Sequence, residues 1–244
     1  MHTKAILILT LTITSLMSAF AAAPLVYEGE KGLGKGKHLV FIASDHEYRS
    51  EETLPALARI LAKHHGFKCS VVFGVNAKGE IQPGANNVPG IEELANADLM
   101  VVFTRFQNWP ADQMKHFVNY LDRAGPIVGL RTATHGFNKI PKDSPYAKYN
   151  NGFGGADYKD GFGRQVLGEK WAGHYGGNHS SSTRLDIVPE QNKHPILRGV
   201  KNMWAQCGGY NTNPLKPYTT LAMAQPLKGM SPDSPDDETR KPVP

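Results

Sequence analysis

The segment Arg131–His135 places an arginine, two threonines and a histidine directly after a short apolar run. The run, Gly-Pro-Ile-Val-Gly-Leu at 125–130, is typical of a buried parallel strand because it is apolar and stops abruptly. Ligands of open α/β sheets bind just past the carboxyl ends of such strands, so Arg131 and His135 are expected at the mouth of a site. Arginine stays protonated in proteins and is no nucleophile, so Arg131 would orient substrate oxygens. Thr132 is a further candidate for substrate binding.

A second polar group, Asp45-His46-Glu47 with Arg49, follows the apolar run at 38–43. A carboxylate pair beside an imidazole and a guanidinium suits acid–base catalysis, metal binding or recognition of sugar hydroxyls. Asp45 and Glu47 are therefore candidate catalytic residues, and His46 and Arg49 are candidate substrate-binding residues. The alternative is that the acidic residues only complement the dipole of a following helix, with His46 exposed.

Three further segments add candidate side chains. Arg105 and Gln107 follow a third apolar run, and the arginine could clamp an anion or a sugar through its planar fork, or form a structural salt bridge. His174 lies in a glycine-rich stretch and is the main candidate for acid–base work or metal ligation. Tyr210, which follows two glycines, could belong to a stacking wall for a carbohydrate.

A divalent metal is an open alternative. His135, His174 and His179 with Asp45 or Glu47 could form a zinc-type site. The sequence has no HExxH motif and no paired Cys/His pattern, so the cofactor stays unassigned.

Strand and helix patterns alternate along the first half of the chain. This alternation predicts an α/β fold with a doubly wound, mainly parallel sheet and helices on both faces. Right-handed crossovers place the first strand between the second and the third, which is a flavodoxin-like order. The loops 44–49, 104–107 and 131–135 then share one edge. The predicted strands lie at 38–43, 68–73, 98–103 and 125–130, and the predicted helices at 51–65 and 110–123, with a short helix near 91–95.

The stretch 138–182 has no regular periodicity but is rich in glycine and aromatic residues. Long ordered loops in compact domains are usually functional, and aromatic residues need a surface to pack on. We therefore expect residues 146–180 to cover the carboxyl edge of the sheet and to bring His174 near His135, Arg131 and Glu47. Strands are predicted again at 183–188 and 219–224.

The N-terminal residues predict an exported protein. A cationic start, an apolar run and an Ala-x-Ala pattern identify residues 1–23 as a signal peptide. Residues 24–37 are expected to form an exposed lead-in, and no other segment has the length and hydropathy of a membrane span. The mature chain is thus expected in the periplasm or outside the cell, without a membrane partner.

Charge and cysteine content argue against several classes of protein. The chain has 27 Lys and Arg against 22 Asp and Glu, and no basic stripe with aromatic platforms, which argues against nucleic-acid binding. Its two cysteines are too few for a disulfide framework or a thiolate zinc site. We expect Cys69 and Cys207 to be free thiols.

Three motifs carry a resemblance to a known family. Val128-Gly129-Leu130, the segment 167–174 (LGEKWAGH) and the segment 194–199 (HPILRG) resemble the ThuA-like (trehalose-utilisation) domain. That family is an offshoot of the class I glutamine amidotransferase-like fold and lacks its catalytic cysteine. Residues 45–52 look like an exported, environmental-bacterial branch. The resemblance covers the expected domain at 38–225.

The resemblance also has two departures. Arg131 stands where the amidotransferases carry their nucleophilic cysteine and where many ThuA-like members carry a histidine, so glutaminase activity is not expected. Family members usually continue beyond the position of Pro244, so this chain, with its proline-rich end at 226–244, looks truncated relative to them.

The resemblance implies carbohydrate metabolism, with a disaccharide, a glycoside or a keto-sugar as small-molecule partner. The expected enzyme would use its histidines and carboxylates for catalysis and its other polar side chains for binding. A non-catalytic sugar-binding or accessory module is the alternative. The catalytic candidates are His174, His135, Glu47 and Asp45, and the substrate-binding candidates are Arg131, Thr132, Arg105, Gln107, His46, Arg49 and Tyr210.

Overall fold

A computed structural model describes residues 23–244, which places the predicted signal peptide outside the described residues except for Ala23. A five-stranded sheet forms the centre, in the order β1-β3-β2-β4-β5. Strands β2 to β5 run parallel, and β1 joins β3 antiparallel. The flavodoxin-like order predicted for the parallel strands is confirmed. The strands are β1 (Leu25–Tyr27), β2 (His38–Ser44), β3 (Lys68–Phe73), β4 (Leu99–Thr104) and β5 (Ile127–Gly129).

The two long helices pack on opposite faces of this sheet. Successive side chains of a strand point to opposite faces of the sheet. All residues of β2 are buried, so both faces of the sheet are covered at this strand. Phe41 packs in one apolar cluster with Leu54, while Ile42 packs in the other with Phe117. The prediction of helices on both faces is therefore correct. The helices are α1 (Ser50–His65) and α2 (Ala111–Asp122).

The second half of the described chain forms short elements and a second sheet. This sheet is antiparallel, in the order β10-β7-β8, and β6 pairs with β9. The 3-10 helix Pro195–Leu197 lies in the motif 194–199 and begins directly after His194. The elements are α3 (Gly161–Val166), β6 (His174–Tyr175), β7 (Ser182–Ile187), β8 (Met203–Ala205), β9 (Gly209–Tyr210) and β10 (Ala222–Leu227).

Both ends of the described chain are more ordered than the sequence predicted. The lead-in at 24–37 supplies β1, and the proline-rich end folds back so that Val243 bridges Ala224 and Asp236 bridges Leu227. Backbone hydrogen bonds with existing strands stabilise these segments. Because such pairing needs no apolar periodicity, the sequence pattern did not indicate it.

The expected cover at 146–180 is only partly correct. Tyr149 and Phe162 are buried in the apolar cluster on the α2 face, where both rings contact Phe117 edge-on. Burial of such a ring stabilises the folded chain by about 1.5–3 kcal/mol. These contacts place the first half of the segment beside the sheet. Only the second half reaches the carboxyl edge.

Cys69 is buried, Cys207 is half-buried, and both are free thiols, as predicted. None of the helices within residues 23–244 combines the length and the apolar character that crossing a membrane requires.

Helix α3 fixes the position of the segment that follows β5. A Cβ at Gly163 would collide with the carbonyl oxygen of Thr134 and lie 2.8 Å from that of Glu169. Only a glycine lets the helix approach this backbone so closely.

We predict that Gly163→Ala lowers the free energy of unfolding by about 1–3 kcal/mol, because α3 must move away from Thr134. Urea unfolding measures the change. Gly154→Ala is the matched control, since no atom lies within 4 Å of a Cβ placed there and its φ is not positive. Equal stability of the two variants would contradict the proposed contact.

Candidate functional site

The chain turns sharply where β5 ends. Leu130 is extended, Arg131 has a φ of 38°, and a 3-10 helix covers Arg131–His135. A bulky residue at positive φ is unusual and costs energy, so the surrounding structure must hold it there. We call this turn, residues 130–135, the elbow, and Arg131 stands at its tip.

The Arg131 guanidinium is held between two tyrosine rings. Its carbon lies 4.2 Å from the ring centroid of Tyr48 and 4.4 Å from that of Tyr210. Its Nη2 donates to the Tyr48 hydroxyl at 2.9 Å and to the Gly208 carbonyl at 3.1 Å. Burial alone would lower the pKa of Arg131, but the hydrogen bond with Tyr48 and the nearby Tyr210 and Cys207 raise it. Arg131 is thus a fixed, permanently charged group.

Asp45 ties the loop after β2 to the elbow. It is fully buried, and its Oδ1 accepts hydrogen bonds from the backbone N–H groups of Glu47 and Tyr48. Its Oδ2 accepts from the Thr132 hydroxyl at 2.7 Å. Because both carboxylate oxygens are occupied inside the protein, this geometry suits positioning better than the catalytic role expected for Asp45 or the substrate contact expected for Thr132.

Gln107 is also engaged within the protein. It is 1 % exposed, and its Oε1 accepts from the Ser44 hydroxyl at 2.6 Å and from the indole of Trp109 at 3.1 Å. Its amide nitrogen donates to the Arg105 carbonyl at 3.1 Å. This geometry suits a structural role better than the substrate contact expected for Gln107, because its hydrogen bonds join the ends of β2 and β4.

Charged side chains form a rim beside this buried network. Arg105 Nε lies 2.8 Å from Glu47 Oε2, and Arg105 Nη1 donates to His46 Nε2. These three candidates do converge on one edge of the sheet. Arg49 does not, because it pairs with Glu52 on the exposed side of α1. This geometry gives no support to its predicted substrate-binding role, and exposed pairs of this kind contribute little stability.

His135 and His174 belong to one aromatic group. His135 is 2 % exposed, with its ring centroid 4.9 Å from Phe106, 5.2 Å from Trp171 and 5.8 Å from Tyr210. His174 is exposed and lies 5.9 Å from Trp171 and 5.7 Å from Tyr210. The pairing of β6 with β9 sets His174 opposite Tyr210. His135 is therefore the buried member of this aromatic group, and His174 is its solvent-exposed member.

The environment of His135 keeps its ring neutral. Burial lowers its pKa, the charges of Arg105, Arg131 and His174 lower it further, and Asp45 opposes them only in part. The resulting pKa is about 4. At neutral pH the ring therefore offers one hydrogen-bond donor and one acceptor, and no charge.

A groove of about 820 Å³ begins at the elbow, where Arg131, Thr134 and Tyr210 line it. Thr134 Oγ1 also lies 3.3 Å from His135 Nδ1, so the groove and the aromatic group meet there. Tyr48, Thr134 and Trp171 were not among the predicted site residues. Tyr48 lies in the segment 45–52 and Trp171 in the segment 167–174. This position within a motif was the only feature of the sequence that pointed to either residue.

The residues that could ligate a metal do not assemble. Within residues 23–244 no three His, Cys, Asp or Glu side chains are arranged to hold a metal ion. His179 lies on the exposed turn between β6 and β7. The zinc-type set suggested by the sequence is therefore not formed by the described part of the chain.

Comparison with known proteins gives no assignment: no family model, no curated protein and no solved structure matches this chain. The ThuA-like resemblance stays a prediction that depends on the quoted motifs.

We predict that Asp45→Asn lowers the free energy of unfolding by about 1–3 kcal/mol, since an amide cannot replace the carboxylate oxygens that accept three hydrogen bonds. Chemical unfolding measures the loss, with the exposed Asp143→Asn as control. A double-mutant cycle with Thr132→Val should show coupling between the two residues. Additive effects would contradict the Asp45–Thr132 link.

We predict that His135 makes folding pH-dependent. Its folded pKa of about 4 lies below the unfolded value of 6.5, so protons bind preferentially to the unfolded chain and stability falls by about 3 kcal/mol from pH 6.5 down to pH 4. Above pH 6.5 this residue adds no slope. Unfolding at several pH values should show a smaller decrease for His135→Asn, whereas the exposed His64→Asn keeps the full decrease. An NMR titration midpoint of His135 near 6.5 would refute this.

Proposed function

We propose that this chain is an exported, ThuA-like protein that acts on a carbohydrate, either a disaccharide, a glycoside or a keto-sugar, and has no glutaminase activity. The observation that carries the proposal is Arg131, fixed between Tyr48 and Tyr210 at the tip of the elbow. A planar guanidinium with several N–H groups pairs well with neighbouring sugar oxygens. Tyrosine faces suit the apolar side of a sugar ring.

An unpaired donor on Arg131 supports a ligand at this place. Its Nε is buried and has no hydrogen-bond partner among residues 23–244. Such a group costs about 1–3 kcal/mol, and a sugar oxygen bound in the adjoining groove would offset that cost after a small local shift. Arg131 is one of the residues that line this groove.

Proton transfer is assigned to His174. It is exposed to solvent, and it lies beside the ring of Tyr210 that contacts Arg131. In the proposed reaction His174 takes or gives a proton at the reacting sugar, while Arg131 stabilises negative charge on the neighbouring oxygen. Neutral His135 supports the site from inside through its donor and acceptor nitrogens.

A non-catalytic sugar-binding module is the second candidate. The surroundings of two carboxylates favour this candidate. Asp45 accepts its hydrogen bonds from groups within the protein, and Glu47 forms an ion pair with Arg105. Neither is placed as a free acid or base. In this alternative Arg131 and Tyr210 still bind the sugar, and His174 transfers no proton.

We predict that Arg131→Lys weakens binding of the recognised sugar about tenfold or more, because lysine loses the planar stack. His174→Gln should leave binding nearly unchanged and reduce turnover by about 10²-fold or more. Calorimetric titration and product analysis with disaccharides and their 3-keto forms measure both quantities. Arg198→Lys, at an exposed position, is the control.

The outcomes separate the two candidates. Binding without turnover for every sugar would leave the binding module as the function. Absence of binding by any sugar would refute the carbohydrate proposal.

A further inference from the structure

The groove at the elbow runs along the free edge of the central sheet. Strand β5 is the last strand of that sheet and pairs only with β4. Pro126 accepts a hydrogen bond from Met100, and Leu130 donates one to Val102. By the alternation of a parallel strand, the N–H and C=O groups of Ile127 and Gly129 then point away from β4. Both residues line the groove, so these groups face it.

One wall of the groove carries side chains that can hydrogen-bond to hydroxyl groups. Lys148 is exposed, and its Nζ lies 5.3 Å from the Tyr149 ring centroid and 5.0 Å from that of Tyr158. It has no ion pair with any carboxylate of residues 23–244. Asp122 and Gln165 add a carboxylate and an amide to the same wall.

The size of the groove exceeds the need of one sugar ring. It extends from Arg131 to Gly125, and the six residue-to-residue steps between them correspond to on the order of 20 Å of extended chain. Its volume of about 820 Å³ lies in the upper range of ligand pockets. A small substrate held by Arg131 would leave most of this space unused.

We propose that the groove binds the remaining units of an oligosaccharide whose terminal unit lies at Arg131. This inference rests on the proposed carbohydrate function and extends it from small sugars to glycan chains. Hydroxyl groups along the chain pair with the free Ile127 and Gly129 backbone groups, and the distal unit contacts Lys148 and Tyr158.

An extended peptide added to the edge of β5 is disfavoured. Strand addition gains its affinity from a long row of main-chain hydrogen bonds, whereas β5 has three residues and presents the free backbone groups of only two of them, Ile127 and Gly129. The hydroxyl groups of an oligosaccharide can pair with single backbone groups of β5 and need no continuous strand edge.

The test is a calorimetric titration of the full chain with glucose, trehalose, cellobiose, maltose, cellotetraose and maltotetraose. We expect one tetrasaccharide to bind about tenfold or more tightly than the matching disaccharide. Lys148→Met should remove most of that gain and leave disaccharide binding within about twofold, because a cation–π partner and donor is lost only at the distal end. Lys159→Met, also exposed but outside the groove, should keep the gain.

Each other result is decisive. Disaccharide binding with no gain from chain length overturns the glycan groove and leaves the proposed function standing. No binding of any of the six saccharides overturns the proposed function and this inference together. Binding of an alternating Val-Thr octapeptide in place of every saccharide overturns the inference in favour of strand addition.

Discussion

The hydrogen bond between the Asp45 carboxylate and the Thr132 hydroxyl joins the two loops from which the candidate site is built. Asp45 also accepts the backbone N–H groups of Glu47 and Tyr48, so one buried side chain sets the loop after β2 and the turn after β5. Tyr48 then lies under Arg131, and the arginine is fixed although its φ is positive. The buried charge is stabilised because all its hydrogen bonds are internal.

Electrostatics at the site follow from this arrangement. Two fixed guanidinium groups, Arg105 and Arg131, lie near a buried imidazole, and both disfavour a second positive charge. His135 is therefore a neutral hydrogen-bonding group, whereas His174 is exposed to solvent at the edge of the same aromatic group. The site thus places the permanent charge of Arg131 close to a neutral imidazole ring.

Much of the fold could be predicted from the sequence because its signals are local. Buried parallel strands give apolar runs, and amphipathic helices such as α1 and α2 give their own spacing, so their positions and the strand order agree with the structure. The elbow could be located for the same reason. The partners of a buried polar group give no such signal: Asp45 and Gln107 have the residue types of a site, but their hydrogen bonds come from segments distant in sequence. Tyr48 and Trp171 act through tertiary stacking, which spacing does not reveal.

The contact between Gly163 and the elbow limits how the site can open. Helix α3 cannot separate from Thr134 without breaking the apolar cluster that holds Phe162, so the first half of the long loop moves only with the sheet. At its other end β7 is paired on both sides. The arm between them carries Trp171 and His174 and has positive-φ glycines at 168, 173 and 176. Any opening of the site is therefore confined to this short arm and to β9, with which its β6 residues pair, and leaves the central sheet unchanged.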